Sequence, residues 1–448
     1  MRRHLAGDGV KARALRGTIA SLGLAGSGHV LRFVSNLVLT RLLFPEAFGL
    51  MALVQVIVTG LSLMTTFGLH VSVMQNPRGD EPNFLNTAWT LQAARGVVVW
   101  LAVCALAVPA AQFYAEPLLA QLLPVAAFGL VIAGLHPTKV LSAQRHLRLG
   151  RYSALNLAIQ VISLIVLALM AWWLHSVWAL VLNMVFQPIL ALAVYTRFLP
   201  GIRNRFRLER DALREIFGLG KFLFISTIAT YLINQSDRAV LGRLIDIEML
   251  GIYSIGFALA TLPLMLAMTV YGSVVFPLYR MRHPADDPAN RPKIFASRRM
   301  VAAGALALSG IMAFAGPVLV DVLYDDRYLL AGPIVALVSM AVVPQVVLHS
   351  TMQSVLAKGD SLRFMLVIVA TALIQIAVLV TAAPVFGIPG AALAIGTAQL
   401  GAYPLMALFV RRYKSWDPLG DGALIAAGFL VTGAACWLHR DEIALLLP

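Results

Sequence analysis

Three arginines and one aspartate stand inside apolar stretches of this chain, where an ionised side chain needs a reason to be: Arg32, Arg95, Arg238 and Asp237. Arg95 lies about eleven residues into an apolar run, ~16 Å along a helix and near the midplane of a bilayer. Facing lipid there costs at least ~2.5 kcal/mol, so Arg95 has to face a water-filled cavity or a partner. Arg32 and Asn36 are four residues apart, and so are Asn234 and Arg238, so each pair shares one helix face. Asp237 reads as the one acid well inside a span. It diverges from its neighbour Arg238 around the helix, which leaves a cross-lobe partner such as Arg32, or a role in carrying coupling protons or cations. A cavity built from Arg32, Asn36, Arg95, Asn234 and Arg238 is net cationic. The planar guanidinium fork suits a phosphate, whereas an exporter of small cations would need more acids than this chain offers.

The elements that hold these residues are membrane spans. The 448 residues are 60% hydrophobic and 12% charged, about half the charge density of an ordinary soluble domain. Apolar runs mark thirteen helical spans, among them 17–43, 47–70, 84–110, 117–136, 152–174, 177–197, 216–242, 249–276, 300–321, 329–357, 364–384, 387–410 and 420–438. Strands are excluded, because period-two alternation is absent and an unpaired sheet edge cannot face lipid. With the N-terminus placed in the cytoplasm, the inner loops hold 27 of the 35 lysines and arginines and the outer loops hold 4. That bias orients the chain N-in. An odd span count then puts the C-terminus outside. The net charge of +14 is an orientation signal and an attraction to anionic headgroups, not a nucleic-acid footprint. No cleavable leader is expected from the basic, polar first sixteen residues.

An internal repeat divides the chain. The run Arg41–Leu50 (RLLFPEAFGL) recurs as Arg243–Ile252 (RLIDIEMLGI), offset by 202, and Leu135-His136-Pro137-Thr138 is echoed by Leu348-His349-Ser350-Thr351, offset by 213. Spans 1–6 and 7–12 therefore read as two parallel six-helix copies. The expected organisation is an N-terminal lobe over 1–197, a cytoplasmic linker over 198–215, a C-terminal lobe over 216–411, and an extra span and tail over 412–448. Both lobes would surround a central cavity, the geometry of a transporter. Prolines 124, 188, 263, 344 and 404 fall inside spans and mark kinks. Nucleotide-binding, dinucleotide, nucleophile-elbow and zinc-protease motifs are missing. The two cysteines and nine histidines suggest no metal or cofactor site.

Several runs resemble the bacterial polysaccharide transporters, the Wzx-type oligosaccharide flippases of the MOP exporter superfamily: Arg32–Leu50, Leu85-Asn86-Thr87-Ala88-Trp89, Asp237–Arg243, Leu250-Gly251-Ile252-Tyr253 and Phe276-Pro277-Leu278. The resemblance implies two six-helix lobes forming a V. It also implies a substrate, an oligosaccharide on undecaprenyl pyrophosphate, moved from the inner to the outer leaflet of the cytoplasmic membrane for lipopolysaccharide, exopolysaccharide or capsule synthesis. Lipids and other polysaccharide assembly proteins would be its partners, and catalysis is not expected. A multidrug-type antiporter and a membrane glycosyltransferase or polymerase are the competing readings. The family often has two helices after the twelfth, where this chain shows one.

Overall fold

The computed structural model describes residues 31, 33–65, 72–74, 76–146, 149–218 and 221–447. The described residues are helical, with no strand. The helices are α1 (Phe33–Leu42), α2 (Pro45–Met64), α3 (Pro82–Tyr114), α4 (Leu119–Gly134), α5 (Lys139–Arg145), α6 (Leu149–Leu174), α7 (Trp178–Phe198), α8 (Arg210–Gly218) and α9 (Lys221–Leu244). They continue as α10 (Ile247–Ala260), α11 (Leu262–Met281), α12 (Arg291–Leu323), α13 (Ala331–Ala341), α14 (Val343–Ala357), α15 (Ser361–Arg412), α16 (Pro418–Leu438) and α17 (Arg440–Ala444). Among the described residues, eight helices are long and apolar enough to cross a membrane, and two bent pairs raise that to ten. At 52 residues, α15 is twice what a bilayer needs. Gly387 adopts φ 59° and ψ −130° inside it, a conformation that glycine reaches without penalty, and splits it into two crossings. The chain is a multi-pass membrane protein.

The helices gather into two compact units. One comprises the residues up to Leu43 together with Ile57–Lys221, the other Phe44–Val56 together with Phe222 onward. Helix α2 thus contributes its first half to the second unit and its second half to the first.

In the first unit α3 packs on α4, α4 on α7, and α6 on α7. The linker is part of this unit. Residues 202–209 run extended along the start of α3, where Arg205 N donates to Asn86 Oδ1 (2.9 Å), Arg207 N to Thr90 Oγ1 (3.0 Å) and Glu209 N to Thr87 Oγ1 (3.1 Å). The Phe206 ring lies 4.7 Å from that of Trp89. Ala212 and Ile216 of α8 then bury against Phe84, Leu85 and Leu141. The run Asn86-Thr87-Ala88-Trp89 that carried part of the resemblance is therefore the strip to which the linker is fastened.

In the second unit α12 packs on α13 and α16, α10 on α13, and α14 on α15. The two repeat segments meet here. A Cβ on Gly49 would overlap the Ile247 carbonyl, and a Cβ on Gly251 would overlap the Pro45 carbonyl. The offset of 202 relates Gly49 to Gly251 and Pro45 to Ile247, so the contact is reciprocal.

Candidate functional site

The second half of α2 and the middle of α3 fix Arg95. Its Nε donates to Thr65 Oγ1 (2.9 Å), and its Nη2 to the Ser62 carbonyl (2.6 Å) and Ser62 Oγ (2.9 Å). All three acceptors are neutral. Among the described residues no carboxylate pairs with Arg95. Its charge is oriented, and no acid among the described residues compensates it. Asn36, on α1, is half-buried, and its carbonyl accepts from Thr40 Oγ1 (3.0 Å). Arg32 lies outside the described residues.

The other sequence-selected residues sit on α9 in the second unit, and the structure divides them. Asn234 Nδ2 donates to the Thr230 carbonyl (2.9 Å), and Asn234 lines a cavity of about 170 Å³ with Thr371, His349, Gln353 and Gln399. Arg238 turns elsewhere. Its guanidinium lies 4.4 Å from the centre of the Phe257 ring, and its Nη1 donates to the Asn234 carbonyl (3.2 Å). Asp237 is 1% exposed, and its Oδ2 accepts from the Tyr253 hydroxyl (2.6 Å). Adjacent positions were expected to diverge, yet Arg238 Nη1 comes within 3.9 Å of Asp237 Oδ1. A long arginine side chain folds back far enough to pair with its neighbour, although Asp237 Oδ1 gains no hydrogen bond among the described residues.

Asp237 is also not the only buried acid. Arg298 of α12, read from sequence as a loop charge, is 1% exposed. It is bound to Asp421 and lies 3.6 Å from Asp417 at the start of α16. Arg299 holds Asp417 through Nε (2.8 Å) and Nη2 (2.6 Å). The helix begins at Arg291, eight residues before the expected loop ends, and that extension carries Arg298 into the packed interior.

A polar cavity inside the first unit was not foreseen. Between α4 and α5 the chain bends by 62°. The break exposes a cavity of about 360 Å³ whose polar lining is Gln92, His136, Tyr152, Asn156, Gln187 and Tyr195. His136 Nε2 donates to the Pro188 carbonyl (3.0 Å), Tyr195 Oη to Asn156 Oδ1 (3.2 Å), and Gln92 Nε2 to the Ala133 carbonyl (3.1 Å). The repeat held its signal: His136 and His349, paired by the 213 offset, each line the cavity of their own unit.

On the face bearing the linker, Arg78 binds Glu209 (2.6 Å), Glu81 (2.9 Å) and Glu215 (3.1 Å). The bond to Glu209, then those to Glu81 and Glu215, push the arginine further above its ordinary range. Hydrogen bonds from Asn76 and then Arg78 hold Glu215 below the usual carboxylate value.

Residues 38–333 match a family described as "Polysaccharide biosynthesis protein". The chain is 21% identical over 301 residues to the teichuronic acid biosynthesis protein TuaB of Bacillus subtilis, covering 66% of this chain and 61% of that protein. It is 24% identical over 317 residues to the succinoglycan biosynthesis transport protein ExoT of Rhizobium meliloti, covering 69% and 62%. The chain thus spans about three-fifths of the length of these relatives. Among solved structures it resembles the lipid II flippase MurJ in an inward closed conformation, with a TM-score of 0.65 at 12% identity over 96% of this chain and 100% of that one. It also resembles an inward-facing multidrug resistance MATE family transporter of the MOP superfamily, with a TM-score of 0.62 at 11% identity over 91% and 95%. At such identities the likeness is one of fold.

Proposed function

Since the chain belongs to the polysaccharide biosynthesis protein family, we propose that it is a flippase for a lipid-linked oligosaccharide, carried on undecaprenyl pyrophosphate from the inner to the outer leaflet of the bacterial cytoplasmic membrane. The fold shared with a lipid II flippase and the names of the two relatives support this reading. The observation that carries it is Arg95. Neutral Ser62 and Thr65 orient a guanidinium deep in a span, and no carboxylate among the described residues spends its charge. A pyrophosphate is a fitting counter-ion, because its oxygens accept the paired donors of a guanidinium.

On this reading the protein binds and moves its substrate without breaking a covalent bond. The chain lies N-in, with lobes over 1–197 and 216–411 joined by the linker 198–215. Arg32, Asn36, Asn234 and Arg238 serve the substrate path beside Arg95. Asp237 serves as the paired acid of that path, with Arg238 as its cation, in place of the cross-lobe partner expected from sequence. Deleting the gene tests the function. Surface glycan should disappear while the lipid-linked precursor accumulates on the inner leaflet. Unchanged surface glycan without accumulation would contradict it.

A further inference from the structure

We infer that the cavity under the break between α4 and α5 is a subsite for one uncharged pyranose ring of the transported glycan, an assignment that rests on the flippase reading. Its volume of about 360 Å³ falls in the range of small-ligand sites, roughly 300–1,000 Å³. The residues that line it decide the ligand class. Among them is no aspartate, glutamate, lysine or arginine. A phosphate would want arginine or lysine, and a cation would want carboxylates. What the cavity offers instead is a mixed set of neutral donors and acceptors.

Three of those groups are already fixed by the protein. His136 Nε2 is held by the Pro188 carbonyl, Asn156 Oδ1 by Tyr195, and Gln92 Nε2 by the Ala133 carbonyl. Each bond orients the opposite end of its side chain. His136 keeps Nδ1, Gln92 keeps Oε1 and Asn156 keeps its amide N–H groups, while Gln187 brings both an acceptor and two donors. Hydroxyl groups both donate and accept, so a sugar matches such a set better than any ion does. The Tyr152 and Tyr195 rings, 5.9 Å apart and tilted by 33°, supply apolar faces for the C–H side of a pyranose ring.

The second unit builds the comparison. Its cavity under the break between α13 and α14 carries His349 and Gln399, related to His136 and Gln187 by offsets of 213 and 212. There Phe364 stands where Tyr152 does, and Ile368 where Asn156 does. Those two exchanges remove a hydroxyl and an amide. Met268, Met352 and Met406 fill the surroundings, and the volume falls to about 170 Å³. One scaffold thus occurs twice, and the first unit's copy is about twice the volume and keeps the tyrosine pair and Asn156, which the second unit's copy lacks although Asn234, Gln345, Gln353 and Gln399 make it polar too. By the orientation rule Lys139 and Arg145, on α5, and Arg151, beside Tyr152 on α6, lie on the cytoplasmic side, where the lipid-linked glycan is loaded.

The test places the photo-reactive p-benzoyl-phenylalanine at Tyr152 of the full chain, expressed in the deletion strain, with a control at Leu169, a side chain 59% exposed on α6. After irradiation the purified protein is stained for periodate-oxidisable sugar and weighed by mass spectrometry. The subsite predicts hexose-bearing adducts at Tyr152 and none at Leu169. Asn156→Leu and Gln187→Leu should each lower surface glycan about tenfold at equal protein level, as expected for a lost polar contact, and Asn156→Gln should recover part of it. If the unlabelled wild-type gene restores surface glycan while Tyr152 captures lipid alone or nothing, the subsite is wrong and the flippase reading stands. If the deletion strain never lost its glycan, the flippase reading fails and takes the subsite with it.

Discussion

Gly49 and Gly251 are the same position in two copies of one repeat, and each lies against the carbonyl that opens the other copy's helix: Gly49 against Ile247, Gly251 against Pro45. Even the third-nearest contact is tight, since a Cβ on Gly251 would also lie 3.1 Å from the amide nitrogen of Gly49. The neighbours are backbone and cannot swing aside. Glycine here lets two helix starts approach as closely as small-residue motifs allow in membranes.

Gly49→Leu and Gly251→Leu should therefore each lower the thermal unfolding midpoint of the detergent-solubilised protein, by a loss of about 1–3 kcal/mol from overpacking. Because the two sites share one contact, the double variant should cost clearly less than the sum. Additive losses would show that the two glycines act independently.

Arg298 holds the last long helix through buried charge. Arg298→Leu leaves Asp421 buried without its cation and should cost about 3–5 kcal/mol. The double variant Arg298→Leu/Asp421→Leu should recover much of that loss, because removing both partners removes the stranded charge while Arg299 keeps Asp417. Thermal unfolding of the three proteins decides the matter. A double variant no more stable than Arg298→Leu would contradict the assignment.

Tyr253→Phe removes the hydroxyl that satisfies Asp237. It should destabilise by about 1–3 kcal/mol, the cost of stranding a buried acceptor, and Asp237→Asn should suppress part of the effect. Urea or thermal unfolding of the single and double variants measures the coupling. Equal stability of Tyr253→Phe and wild type would show that the acid does not depend on this bond.

The linker's attachment depends on pH with a known sign. Glu215 lies below its ordinary value of 4.5, so its contribution is complete at neutral pH and is lost as pH falls through that depressed value. At neutral pH, trypsin should cut after Arg207 several-fold faster in Glu215→Gln and Arg78→Ala than in wild type, since local opening governs such cleavage. Pepsin should find wild type and Glu215→Gln converging only below the ordinary carboxylate range. Convergence near neutral pH would contradict the depressed value.

Orientation has its own check. A reporter fused after Pro284 should read cytoplasmic and one fused after Asp326 periplasmic, because the loop around the first holds Arg280, Arg282, Arg291 and Lys293. The reverse pattern would overturn the N-in topology.

Much of this was legible in the sequence. Hydropathy located most of the membrane-crossing helices from Pro45 onward, although Lys221–Leu244, expected as a span, is not among the helices apolar enough to cross and the expected span 249–276 is broken after Ala260. The Arg41/Arg243 repeat marked the very residues that meet through Gly49 and Gly251. The His136/His349 echo pointed at both cavities without saying what lined them, because Asn156 and Gln187 come from separate helices and nothing in their spacing links them. Arg298 was misread as a loop charge because charge marks a span's end by default, while a buried partner such as Asp421 is visible only when helices α12 and α16 are packed. The approach of Arg238 to Asp237 escaped the helical-wheel argument for a simpler reason. That argument places Cβ atoms, and a guanidinium reaches several bonds beyond.

The central claim is that a lipid-linked oligosaccharide crosses the bilayer through this protein with Arg95 on its path. Reconstituted vesicles containing the lipid-linked precursor from the deletion strain measure it, with an impermeant lectin reporting the fraction of glycan on the outer face. Wild-type protein should convert a protected pool to an accessible one, Arg95→Ala should slow that conversion about tenfold or more, and Arg95→Lys should restore only part, because a point charge lacks the paired donors. A protected pool that stays protected with wild-type protein, or an Arg95→Ala rate equal to wild type, would contradict the account.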